Sequence, residues 1–187
     1  MRIKLATLVT NASLLSGSAQ GRTVLSKLVE TASPQSEPAL FVLDFAGVGI
    51  ATGSFLHECV LGFRDFVYAR HLDLYPVVAN ASASTLDELE TLLIAQHDVI
   101  TCCKVQTDGK LTDTRAIGHL DGKMRMTLGL VDKLGDANTP ALQKLCPGEG
   151  VPTLWNNRLD ALWHKRLIAK YHSGRTRTFR SLTVMHA

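Results

Sequence analysis

Two short runs constrain this 187-residue chain more than any other feature: Ala39-Leu-Phe-Val-Leu-Asp-Phe45 and Tyr75-Pro-Val-Val-Ala-Asn80. Each is almost continuously apolar over strand length, the pattern of a central strand buried on both faces. Around them lie segments with helical spacing. Residues 2–9 read as a first strand, and a helix over 21–31 places Val24, Leu25, Leu28 and Val29 on one face. Ser33-Pro-Gln-Ser-Glu-Pro38 is a loop by composition. A glycine-punctuated turn over 46–53 opens into a helix over 54–68, and Ser84 with Asp87 forms a capping-type pair that starts a helix through Ala95. Strands over 99–105 and 116–120 pair as a hairpin around Thr107-Asp-Gly-Lys110. Strands alternating with helices make residues 1–121 an α/β layer domain.

The pattern changes after Gly122. A helix over 123–134 carries Met124, Leu128, Val131 and Leu134 on one side, a short helix covers 139–145, and a third runs from Pro152 to about Leu167. Strands over 168–171 and 178–184 follow, joined by His172-Ser-Gly-Arg-Thr-Arg177. Charge changes with the pattern. Residues 121–187 hold 11 Lys and Arg against 5 Asp and Glu, whereas residues 1–120 hold 9 against 12. A net +6 next to a net −3 points to an anionic partner for residues 122–187, nucleic acid ahead of membrane.

On the third helix Trp155, Leu159, Leu162 and Leu167 fall towards a core, and Thr153, Asn156, Asn157 and Arg158 crowd the first turns of the polar side. Amide and guanidinium groups so placed suit hydrogen bonding to base edges in a major groove. Lys165 adds charge further along, and Arg175 and Arg177 flank the hairpin tip at Gly174, where they suit phosphates or the minor groove. Asn156-Asn-Arg-Leu-Asp-Ala-Leu162, Leu167-Ile168 and Ser173-Gly-Arg-Thr-Arg177 together resemble the winged-helix domains of bacterial transcription regulators. Arg166 stands where such domains often have a helix-ending glycine.

In the N-terminal part, Val42-Leu-Asp-Phe-Ala-Gly-Val48 and Ile50-Ala-Thr-Gly-Ser-Phe55, with Gly21-Arg22 and Ala116-Ile-Gly118, resemble the STAS-like domains of unknown function. These are relatives of the sulfate-transporter and anti-sigma-factor-antagonist fold. The resemblance implies a mixed sheet flanked by helices and a role in protein interaction or signalling. It also places Ser54 where anti-sigma-factor antagonists are phosphorylated, with Thr52 in place of their usual acidic residue. A helix start favours phosphate, although serine is also a good N-cap in its own right.

Catalytic and metal-binding patterns are weak. Gly47, Gly49 and Gly53 match neither phosphate-binding glycine motif. His57-Glu58 is not a zinc helix, and His97, His119, His164, His172 and His186 lack ligand spacing. Ser54, His57 and Cys59 lie close along one helix but bring no oxyanion site. Cys59, Cys102, Cys103 and Cys146 read as reduced, small buried hydrophobes, the adjacent pair pointing to opposite faces of a strand. The longest apolar runs are far below the roughly 20 residues of a membrane span, and the N-terminus reads as a strand in preference to a secretion signal. The expectation is a non-enzymatic, cofactor-free and metal-free cytoplasmic regulator of prokaryotic or phage type. It would bind double-stranded DNA as a homodimer, with a possible protein partner at the N-terminal domain; the alternative is a protein-interaction adaptor like an anti-sigma-factor antagonist.

Overall fold

The structure, a computed structural model, describes residues 1–173 and 176–186, and of Ser173 the backbone only. It is a mixed α/β fold. The first part runs β1 (Arg2–Lys4), a 3-10 turn (Leu5–Leu8), β2 (Leu14–Leu15), α1 (Ser18–Thr31), β3 (Ala39–Asp44) and β4 (Ile50–Ala51). It continues through α2 (Gly53–Leu56), a π turn (His57–Leu61) and α3 (Gly62–Ala69) to β5 (Leu74–Ala79), α4 (Ala83–Ala95), β6 (Val99–Val105) and β7 (Leu111–Gly118). The second part is α5 (Gly122–Leu134), β8 (Asp136–Ala137), α6 (Thr139–Leu145), α7 (Pro152–His164), β9 (Ile168–Ser173), β10 (Thr176–Ser181) and a 3-10 turn (Leu182–Val184).

The main sheet has the order β1-β3-β5-β6-β7, with β1, β3, β5 and β6 parallel and β7 antiparallel to β6. Its two apolar strands are indeed covered on both faces, by different parts of the chain. Phe41, Leu43 and Val78 meet Val24 and Leu28 of α1, Phe55, Phe63 and Val67 of the α2–α3 segment, and Leu89 and Leu93 of α4. Leu40, Val42, Tyr75, Val77 and Ala79 face the other way, onto Ala169, Leu182, Trp163 and Met185. The strand period of two sorts these neighbours to opposite sides. The second part of the chain thus forms one of the two layers on the sheet. The adjacent cysteines follow the same rule, Cys102 in the helix-side core and Cys103 in the opposite one.

Two glycines show how tightly the layers meet. A Cβ on Gly21 would lie 2.8 Å from Glu58 Cβ and 2.9 Å from Phe55 O, so only glycine lets α1 approach the α2–α3 segment this closely. Gly118 has φ +104°, and a Cβ there would sit 2.3 Å from Asp98 O.

Several boundaries differ from the sequence reading. The first strand is only three residues, because the chain turns into 3-10 geometry where its pairing with β3 ends. The hairpin strand β7 begins at Leu111, since Leu111 packs into the second-face core although polar neighbours hide it. α4 is capped by Ser82, whose Oγ accepts from the Thr85 N–H and donates to Gly49 O, and not by Ser84 with Asp87. Leu134 is exposed, and the buried Thr127 joins Met124 and Val131 on the inner side of α5. α7 stops at His164, the first hairpin strand starts at Ile168 as read but runs on to Ser173, and the second is Thr176–Ser181, with Leu182–Val184 in a 3-10 turn. Arg166 has φ +58°, so the departure from glycine falls at a left-handed residue where glycine carries no steric cost. Among the described residues no helix is long and apolar enough to cross a membrane.

Candidate nucleic-acid interface

The second part of the chain builds a small core around α7. Trp155, Leu159 and Leu162 recur at helical spacing and are fully buried with Val131, Leu142, Ile168 and Phe179. α6 is capped by Asn138, whose Oδ1 accepts from the Ala141 N–H, and Pro152 opens α7 where a missing N–H costs nothing. The strands β8, β10 and β9 form a three-stranded antiparallel sheet with β10 in the middle. Arg180 and Asp136 are paired across that sheet, Nε to Oδ1 at 2.8 Å. The Asp136 hydrogen bond and charge raise the Arg180 pKa, while hydrogen bonding from Arg180 holds the Asp136 carboxyl below its ordinary range.

At the start of α7, Thr153 and Asn157 are exposed and Arg158 is half-buried. Asn156 has another role. Its Oδ1 accepts the Thr139 hydroxyl hydrogen, tying α7 to α6, so this side chain is turned towards its neighbour helix. The Arg158 guanidinium lies 5.0 Å from the Trp155 ring centroid, an arrangement that orients its charge over a buried aromatic. Lys144 on α6 and Arg125 on α5 are exposed and make no ion pair among the described residues. Neither was singled out in the sequence, where nothing distinguishes them from ordinary solvated lysines and arginines.

The hairpin cations are not loose. Asp160, the one acidic residue in the stretch 151–180, accepts Arg177 NH1 at 3.1 Å and Lys170 Nζ at 3.4 Å. One carboxylate on α7 therefore gathers a cation from each hairpin strand. Lys170 Nζ also stands 4.0 Å above the Trp163 ring. Arg175 lies outside the described residues.

Lys165 does not join this group. It caps the far end of α7, about 18 Å along the helix axis from Thr153 at 1.5 Å per residue, and reaches Asp98 Oδ1 at 3.5 Å. Asp98 also takes Arg64 NH2 at 2.7 Å. Burial opposes ionisation of Asp98, but the Arg64 hydrogen bond and charge, the Val99 N–H and the Lys165 charge outweigh it and hold its pKa below the ordinary value. Beside this cluster the buried Arg166 guanidinium is surrounded by the rings of Tyr68, Tyr75 and Trp163 at 5.3–5.9 Å. The Tyr75 hydroxyl accepts from Trp163 Nε1 and from the Lys170 N–H, both at 3.1 Å. These contacts fasten the C-terminal end of α7 to the main sheet.

Ser54 is exposed in the first turn of α2, its Oγ 3.2 Å from the Thr52 hydroxyl. It is not the N-cap. Thr52 occupies that position, and the Gly53 N–H is satisfied by Glu88 Oε2 at 2.8 Å. A carboxylate already sits at this helix start, which opposes a second anion there by like-charge repulsion. Among the described residues no group of three or more His, Cys, Asp or Glu is placed to hold a metal ion.

No protein-family model matches the chain, and no match was found among curated proteins or solved structures.

Proposed function

We propose that this chain is a cytoplasmic DNA-binding transcriptional regulator, with a winged-helix C-terminal part and a STAS-like N-terminal part that senses or binds a partner. The reading is carried by one arrangement: helix, short strand, helix, helix, hairpin, with the last strand central, and the first turns of α7 exposing Thr153 and Asn157. In a winged helix that order presents the third helix to the major groove and the hairpin to the flanking backbone. Thr153, Asn157 and Arg158 then read base edges, while Lys144, Arg125 and Arg177 meet phosphates. Asn156 supports the geometry through Thr139. The protein binds as a homodimer, since two half-sites multiply affinity, and it performs no catalysis and needs no cofactor.

The adaptor reading keeps one observation in its favour: Leu145, Val151 and Leu154 are exposed around the start of α7, an apolar set suited to a protein surface. A salt titration on random duplex DNA separates the two. A regulator binds at low salt, and Lys144→Ala weakens binding to all sequences alike and reduces the salt slope by about one. Thr153→Ala with Asn157→Ala relaxes sequence preference instead. Absence of binding at low salt rejects the DNA reading.

A further inference from the structure

A cavity lined by residues far from α7 in sequence takes no part in the proposed DNA contacts. It is a cleft of about 680 Å³ between the first half of α4 and the distal half of the β6–β7 hairpin. That volume falls in the range of small-molecule sites, about 300–1,000 Å³. Val78, Ala81, Leu86 and Cys102 supply an apolar wall. The opening has a local cause. The β6–β7 register shifts between Cys102 and Lys104, and Asp113 opposite has φ +51°, a bulge that re-aims the side chains of the hairpin.

The charges around the cleft do not cancel. Lys104 and Asp113 pair with each other at 2.8 Å. Asp44, behind Asn80, is fully buried and held by Arg2 at 2.8 Å, by the Asn80 amide and by the Ala46 N–H. Burial pushes the Cys102 and Cys103 thiols up to about 12, so neither adds a negative charge at neutral pH. Arg115 remains: it is exposed, lines the cleft, and makes no ion pair among the described residues. A guanidinium beside an apolar wall is a recognition site for a carboxylate, sulfonate or phosphate joined to a hydrophobic body.

We propose that this cleft binds a small organic anion with an apolar body, Arg115 pairing with the anionic group and Val78, Leu86 and Cys102 packing against the remainder. The site is also placed to be felt elsewhere. Thr114 and Arg115 border a second, small cavity shared with Leu128, Asp132, Leu167 and Leu182 of the C-terminal part. A ligand drawing on Arg115 therefore acts one side chain away from α5. A role as an effector site rests on the DNA-binding reading, whereas the binding itself does not.

The test uses the full chain without DNA and anilinonaphthalene sulfonate as a fluorescent probe. Wild type binds saturably, and benzoate competes where benzyl alcohol, which lacks the charge, does not. Arg115→Gln weakens the probe by about tenfold, the loss of one charge-assisted pair, with an unchanged thermal transition. Leu86→Trp, which fills the cleft and keeps Arg115, weakens it as well. Non-saturable binding to wild type, equal competition by benzyl alcohol, or affinities of both variants within about twofold of wild type, below the loss of one such pair, each overturn the proposal. Because no DNA is present, these outcomes are independent of whether the chain binds DNA.

Discussion

Asp98 and Asp160 each hold two cations, yet they do different work. Asp98 takes Arg64 and Lys165 at the junction between the main sheet and the end of α7, where the Arg64 and Asp98 side chains are 11% and 18% exposed. Asp160 takes Lys170 and Arg177 at the hairpin, where the Asp160 and Arg177 side chains are 29% and 40% exposed and Lys170 is 19% exposed. Desolvation sets the difference. A pair sheltered from water leaves a costly orphan charge when one partner is removed, whereas an exposed pair trades its partner for water at little loss. The first cluster therefore serves cohesion, and the second sets where the hairpin charges point.

Removing each acid is the strongest way to break this contrast. Asp98→Ala should lower the unfolding free energy by about 2.5 kcal/mol, because the sheltered Arg64 loses its 2.7 Å partner and keeps only the exposed Asp65 carboxylate and the Val99 carbonyl, and Asp160→Ala by less than about 1 kcal/mol. Equal losses in denaturant titrations would dissolve the distinction. Tyr75→Phe comes next. It removes the acceptor shared by Trp163 Nε1 and the Lys170 N–H, and a loss of about 2 kcal/mol is expected from the unpaired donors. A thermal shift within error would show that the junction does not depend on that hydroxyl.

Asp160→Asn sharpens the other side of the comparison. Releasing Lys170 and Arg177 should tighten binding to random duplex DNA several-fold and steepen its salt dependence by about one to two in slope. Unchanged or weaker binding would mean that these cations do not face the nucleic acid.

The smallest effect is on acid stability. Asp98 and Asp44 both have folded pKa values below their ordinary ones. For Asp98 the Arg64 bond and charge overcome burial; for Asp44 the Asn80 and Ala46 hydrogen bonds and Arg2 do so. A depressed folded pKa contributes stability that is present above the unfolded value of about 3.9 and is lost as pH falls through the folded value. Denaturation midpoints followed downward from about pH 5, above the unfolded carboxylate value, should therefore fall less steeply for Asp98→Asn than for wild type. An identical slope would remove Asp98 from the acid response.

The elements were more legible than the contacts. Residues 39–45 and 75–80 announce buried strands because two covered faces leave almost no polar position in either. Trp155, Leu159 and Leu162 likewise declare an inner stripe by spacing alone, and all three are buried. β8 escaped notice because a two-residue strand has no period, and only its pairing with Phe179 and Arg180 defines it. The π turn at His57–Leu61 has no compositional mark either.

Within the candidate site, residue type was a poor guide to orientation. Asn156 and Asn157 are adjacent and identical, and a helix turns them about 100° apart, so one meets Thr139 and the other meets solvent. Lys165 belongs to the same helix as Thr153 but to a different region, since it lies at the opposite end and is drawn to Asp98. Arg177 is basic at the hairpin in sequence and partly neutralised in space, because Asp160 stands one layer away.

Local period and composition set the α/β alternation, the inward stripe of α7 and the uneven distribution of charge, but not the inner face of α5, where Thr127 replaces Leu134. Packing between distant segments brings the C-terminal part over the second face of the sheet, buries Arg166 among three rings and leaves Arg115 lining an open cleft. Such facts depend on which distant side chains meet, and that is settled by burial and pairing across the whole chain, with no trace in the spacing of neighbouring residues.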